Sequence, residues 1–249
     1  MSKKVPIIII VILLLVIVLL LFVFKKDLKN NNKVVSNYMI ISNDSIWKYT
    51  NKWESSYYSD VDNNKMNVYV DNIYKGEYVL KYGNGWNLFL NDKYQQFSGS
   101  LIALSNNFGN VLNVDINEID DNDIIKVNEI LHSNYVKSNF SLMEKVNTDL
   151  DNNGVLDKIV NVSNLDIEDE NKYFNLVYII LNNKLYVLKK EIISKENYYN
   201  APIYNIKVLV KFNDNTNIVI SKGYFSDAGK SGNMMYEKVN GKYELVIED

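Results

Sequence analysis

The sequence predicts a mainly β protein with one short helix, preceded by an N-terminal transmembrane helix. Three observations carry this. Val5 to Phe24 is an unbroken apolar run; many short stretches alternate apolar and polar residues between Asn- and Gly-containing turns; and a single segment after Asp120 repeats its apolar residues at helical spacing. Their order predicts a tail (1–4), a membrane anchor (5–24), a polar stalk (25–43) and a small antiparallel β domain (44–105). A linker with the helix (106–134) and a β-rich, blade-like domain (135–249) complete the expected order.

The anchor reads VPIIIIVILLLVIVLLLFVF, with no charged or amide side chain. At about 1.5 Å per residue it spans roughly 30 Å, the thickness of a bilayer hydrocarbon core. Pro6 falls in the first turn, where a missing N–H costs least. A cleaved signal peptide would end in small residues, but this run ends in Leu21, Phe22, Val23 and Phe24, followed by lysines. No cysteine follows it to carry a lipid, and buried core helices are seldom apolar on every face. The expectation is a single-pass signal-anchor in a cell membrane. Orientation is less constrained. Lys3 and Lys4 stand on one side, against Lys25, Lys26, Lys29, Lys33 and Asp27 on the other, a count that leans toward a cytoplasmic body. An N-terminal anchor before one long domain favours an extracytoplasmic body instead, because long domains translocate largely regardless of charge.

The whole chain has a net charge of −3. Without the six flanking lysines and Asp27, the remainder carries about −8, so nucleic acid is not an expected partner. Arginine is absent, while Asn, Lys, Ile and Tyr are abundant, a usage that suits an AT-rich bacterial genome. With no cysteine, disulfides, thiolate metal sites and cysteine nucleophiles are excluded.

Past the stalk, Trp47, Tyr49, Trp53, Tyr57 and Tyr58 are expected to pack the first domain rather than to touch lipid headgroups. Met66–Val70, Glu77–Tyr82, Trp86–Leu90 and Ser100–Leu104 read as strands of a meander. Asn106 to Asn117 reads as loose chain. Asp120 is suited to cap a helix carrying Ile124, Val127, Ile130 and Leu131 on one face, with Asn134 as its stop. Strands follow at Asp157–Ser163, Tyr173–Leu181, Lys184–Lys190, Ile203–Phe212, Ile218–Gly223, Met234–Val239 and Tyr243–Glu248. Asn182-Asn183 and Asn240-Gly241 are expected as turns.

One motif carries chemistry. Asp149 to Asp157 reads DLDNNGVLD, with side-chain oxygens at loop positions 1, 3, 5 and 9 (Asp149, Asp151, Asn153, Asp157). Gly154 occupies position 6, where a calcium loop turns sharply, and the Val155 carbonyl falls at position 7. Alternate oxygens converge when a loop wraps a hard cation, and calcium accepts such a flexible all-oxygen shell. Position 12 is Val160 rather than Glu, and a strand follows rather than a helix, so the loop is not an EF-hand. The pattern resembles the short calcium loops of FG-GAP and VCBS type repeats, closely over Asn147–Val162 and loosely to Asp249. That resemblance implies a structural Ca²⁺ held by Asp149, Asp151, Asn153, Val155 and Asp157. Phe212–Ile220 (FNDNTNIVI) is a faint second copy lacking the glycine and most acids, and no repeat period is established. An ordinary Asn/Asp/Gly turn is the competing reading of the first loop. Asp60-Val61-Asp62-Asn63-Asn64 lacks the glycine and reads as a plain turn.

Other signals are weaker. His132, the only histidine, falls at the helix end, a poor start for a catalytic triad or a zinc centre. Gly229-Lys230-Ser231 resembles the tail of a P-loop, but the first glycine would have to stand where Tyr224 is. Acids are plentiful, yet no spacing selects a catalytic pair. The function expected is extracytoplasmic binding or scaffolding at the cell envelope without catalysis, with an envelope protein or glycan as the partner class. An envelope hydrolase with dispersed carboxylates and a cytoplasmic-facing regulatory domain are the alternatives.

Overall fold

The computed structural model describes residues 36–41, 45–83, 85–90, 93–106, 108–165, 172–224 and 231–249. The anchor at Val5 to Phe24, most of the stalk, and Gly229 and Lys230 lie outside the described residues. Among the described residues no helix is long and apolar enough to cross a membrane.

The chain is mainly β, built as three antiparallel sheets. The first contains β1 (Asn37–Ile41), β2 (Ser45–Tyr49), β3 (Trp53–Ser55), β4 (Lys65–Val70), β5 (Ile73–Gly83), β6 (Gly85–Leu90), β7 (Lys93–Gln95) and β8 (Leu101–Ser105). Its spatial order is β3-β2-β1-β8-β4-β5-β6-β7. The second runs β10 (Ile116–Asn117), β11 (Leu142–Thr148), β12 (Asp157–Ser163), β13 (Lys172–Leu181) and β14 (Lys184–Ser194). In the third, β9 (Asn110–Leu112) lies beside β15 (Pro202–Phe212), followed by β16 (Asn215–Tyr224), β17 (Gly232–Val239) and β18 (Lys242–Glu248).

Among the described residues, four hairpins close on two-residue turns with positive φ at both positions: Asp71-Asn72, Asn182-Asn183, Asn213-Asp214 and Asn240-Gly241. This geometry matches the right-handed twist of the flanking strands, and Asn and Asp tolerate it better than other non-glycine residues. The abundance of Asn therefore has a structural use. Phe212–Ile220, the faint second copy of the acidic loop, is one of these tight turns.

The third sheet is the middle layer. One of its faces packs on the first sheet, with Val208, Val210, Phe212, Val219 and Met235 meeting Met39, Ile41, Trp47, Ile102 and Leu104. Its other face packs on the second sheet, with Leu209, Ile218, Ile220, Met234 and Tyr236 meeting Val146, Ile159, Val177 and Ile179. Strands buried on both faces need apolar residues at successive positions, which is why β13 and β15 read as near-continuous hydrophobic runs. The outer face of the second sheet (Val160, Val162, Phe174, Leu176, Tyr178) is covered by helix Asp121–Leu131 through Val127, Ile124 and Ile130.

That helix begins with a reciprocal cap. Asp120 Oδ1 accepts the Asp123 N–H at 3.1 Å, and Asp123 Oδ2 accepts the Asp120 N–H at 3.0 Å. Asp123, almost fully buried, also pairs with Lys158 at 2.6 Å and Lys145 at 3.3 Å, which compensates its desolvation. The helix stops at His132 rather than Asn134. His132 adopts the left-handed conformation (φ 53°) and its N–H bonds to the Asn128 carbonyl.

Two expected boundaries move. The stalk does not extend to residue 43, because Asn37–Ile41 is a strand inside the first sheet, with Met39, Ile40 and Ile41 buried. The two expected β domains are not separate. Asn37–Asp249 forms one compact unit, since the first and third sheets share a core and the supposed linker supplies β9 and β10. The early aromatics pack only in part as expected: Trp47 and Trp53 are buried, and Tyr49 and Trp53 both lie against Phe212, but Tyr57 is exposed because it stands outside the strands, just before a short helix.

Candidate metal centre

Residues 149–156 connect β11 to β12, whose register closes on the pair Thr148↔Asp157. The connection has two anchors. Leu150 is fully buried in the core between the second and third sheets. Its carbonyl accepts the Tyr243 hydroxyl at 3.4 Å, and that hydroxyl also donates to the Thr216 carbonyl at 2.7 Å. Asp157, 2% exposed, accepts the Leu150 N–H on Oδ2 and the Asn182 N–H on Oδ1, both at 3.0 Å. One buried carboxylate thus ties its own loop to the β13–β14 turn.

Between the anchors the backbone coils around Asp149. Its Oδ1 accepts the Asn153 N–H at 3.1 Å and its Oδ2 the Gly154 N–H at 2.8 Å. Gly154 has φ +84°, a conformation that costs glycine nothing and a side chain about 1 kcal/mol or more. Asn152 is also left-handed, and it reaches outward: its Nδ2 donates to the Asp214 carbonyl at 2.7 Å and its Oδ1 accepts Lys211 Nζ at 2.6 Å. The loop therefore also touches the β15–β16 turn.

Asp151 is the interior ligand candidate. Its side chain is only 9% exposed. Oδ2 accepts Asn182 Nδ2 at 2.7 Å and Lys238 Nζ at 3.0 Å. Oδ1 is buried and has no hydrogen-bond donor. Burial pushes this carboxyl's pKa up, but the bonds from Lys238 and Asn182 outweigh it, and the net shift is below the ordinary aspartate range. The group is therefore ionised at neutral pH with one oxygen unsatisfied.

One carboxylate oxygen from each of Asp149, Asp151 and Asp157 lies within 4.8 Å of the others. Ligand oxygens on opposite sides of a Ca²⁺ ion stand about 5 Å apart, given metal–oxygen distances of 2.3–2.6 Å. The cluster is close enough that it could hold a metal ion. Of the five donors expected from the sequence, these three carboxylates come together. Asn153 uses its Oδ1 to accept the Val155 N–H at 2.7 Å and its Nδ2 to reach Asn182 Oδ1. Val155 is exposed, beside a still more exposed Leu156.

Asn182 and Lys238 also surround Asp151, although in the sequence they read only as a turn residue and a strand residue. Their partner lies 31 and 87 residues away respectively. The positive φ of Asn182 was foreseeable from its turn; its side-chain role was not. His132 stays exposed at the helix end. Comparisons with protein families, with curated proteins and with solved structures found no match.

Proposed function

We propose that this chain is a membrane-anchored, extracytoplasmic binding or scaffolding protein whose loop at 149–157 is clamped by a structural divalent cation, Ca²⁺ by its oxygen donors. The observation that supports the metal most directly is the unpartnered, buried Asp151 Oδ1 among three close carboxylates. A buried acceptor without a donor is costly, and a cation removes that cost. The ion would be held by Asp149, Asp151 and Asp157, with Asn153 and the Val155 carbonyl as the further donors that the resemblance to FG-GAP and VCBS type loops implies. It would fix the β11–β12 connection against two neighbouring turns rather than take part in a reaction. The apolar run at Val5 to Phe24 would hold the body at the membrane, and an extracellular setting would keep calcium abundant. The partner class remains an envelope protein or glycan.

The test is thermal unfolding against calcium. A ligand that binds only the folded state at about 100 times its Kd adds roughly 2.7 kcal/mol of stability. Calcium at millimolar concentration is expected to raise Tm in the parent protein and to leave Asp151→Ala unmoved. A parent Tm indifferent to calcium would reduce the loop to an ordinary turn. Protease treatment of intact cells tests orientation: a body that survives until lysis lies inside.

A further inference from the structure

Lys238 reaches the acidic loop from β17, in a different sheet. Its Nζ lies 3.0 Å from Asp151 Oδ2, and the two side chains are 21% and 9% exposed. The other ammonium at the loop, Lys211, is engaged with the neutral Oδ1 of Asn152. Among the described residues, Lys238 is thus the cation in direct contact with the three-carboxylate cluster.

Asp149, Asp151 and Asp157 bring three negative charges within 4.8 Å of one another, a repulsive arrangement that partial burial strengthens. One ammonium offsets one of them. Two negative charges then remain beside Asp151 Oδ1, the oxygen that lacks a donor. A divalent cation neutralises that remainder in full. A monovalent ion leaves it negative and a trivalent ion overshoots. An ammonium and a metal on the same carboxylate repel each other, so the lysine weakens a metal ion even as it makes the metal-free loop tolerable.

We propose that Lys238 is the loop's internal counter-ion: it holds Asp151 in the metal-free protein and competes with a divalent cation for that carboxylate. It thereby sets both the affinity of the site and its preference for ion charge. This rests on the metal reading above. The lysine acts as a tuning group rather than as a ligand.

The experiment compares the full chain in detergent with its Lys238→Met and Lys238→Arg variants. Met keeps the length of the stem and removes the charge; Arg keeps the charge. Binding of Ca²⁺ is read by calorimetry, and that of Tb³⁺ by luminescence sensitised through tyrosine, since the Tyr243 hydroxyl bonds to the Leu150 carbonyl inside the loop. Lys238→Met is expected to bind Ca²⁺ about tenfold more tightly and Tb³⁺ tighter by a larger factor, because the repulsion removed scales with ion charge. Its metal-free Tm falls, and calcium restores it. Lys238→Arg stays close to the parent in both respects. If the parent binds calcium and Lys238→Met binds no more tightly, the counter-ion inference fails while the metal reading stands. If Arg behaves as Met does, the effect is packing and the inference also fails. If none of the three proteins binds either ion, both readings fall together. Lys238→Gln supplies the same contrast should the Met variant fail to fold.

Discussion

Asn182 Nδ2 donates to Asp151 Oδ2 at 2.7 Å, across 31 residues of sequence and from one hairpin turn to the next. The same residue donates its backbone N–H to Asp157 Oδ1, and its side-chain Oδ1 accepts from Asn153 Nδ2. A single turn residue therefore fixes three positions of the acidic loop. Its left-handed backbone (φ 51°) makes this possible, because the turn presents both its N–H and its side chain toward β12.

Asn182→Gly separates these roles. Glycine keeps the positive φ and the N–H to Asp157 but loses both amide contacts. The expected cost is about 1–2 kcal/mol, the range for lost hydrogen bonds with one charged acceptor. Urea denaturation measures it. Amide exchange at Asn153 and Gly154 should quicken while β12 stays protected. Unchanged loop exchange would show that the loop holds itself without the neighbouring turn.

Gly154→Ala tests the loop from within. An added Cβ meets nothing within 4 Å, so space is not limiting; φ +84° is. The cost expected from a left-handed residue alone is about 1–2 kcal/mol. Gly154→Asn, which tolerates this region better, should lose less. Equal losses in the two variants, read by urea denaturation, would mean that backbone conformation is not what glycine supplies.

The parts of this architecture that were legible in the sequence are those set by neighbouring residues. β12 begins and ends at the expected Asp157 and Ser163, and the helix cap at Asp120 follows from local chemistry. β11 was not legible. Its LMEKVNT pattern carries Glu144 and Lys145, which look like loop residues until Asn161 and Asp120 satisfy them from other elements. β9 and β10 are too short for any period to show. The first strands were hidden because Asn37–Ile41 follows an Asn- and Lys-rich stretch without a break in composition. At the site, the three aspartates were readable from their spacing. Asn182 and Lys238 were not, because stacking of the sheets brings them there.

The helix cap should respond to acid. Lys145, hydrogen-bonded to Asp120 at 2.8 Å, holds that carboxyl down to about 2, against an ordinary value of 3.8. A depressed pKa means that the folded state binds the proton less readily than the unfolded chain. The contribution is fully present above about pH 4 and is lost as pH falls toward 2. Asp120 is half exposed, so solvent screening keeps the gain small. Carbon-detected NMR titration of the Asp120 carboxyl should give a midpoint well below 3.8, moving up in Lys145→Met. A midpoint unmoved by that substitution would break the assignment of cause.

Trp47 joins the first sheet to the third in two ways. Its side chain is fully buried among Met39, Ile102 and Met235, and its Nε1 donates to Asp249 Oδ2 at 2.7 Å, 202 residues away. Ser55 Oγ holds the other oxygen of Asp249 at 3.1 Å, and the Asp249 N–H bonds to the Asn233 carbonyl. Two substitutions divide the contributions. Trp47→Phe keeps most of the apolar contact and removes the N–H, for an expected loss of about 1–2 kcal/mol, because Ser55 still satisfies part of the carboxylate. Trp47→Ala opens a cavity between the sheets and should cost about 3–5 kcal/mol. Asp249→Ala should resemble Trp47→Phe and add little to it, since both remove the same bond. The double variant decides the matter: fully additive losses in urea would mean that the indole and the carboxylate act independently, and that burial alone ties the two sheets together at this point.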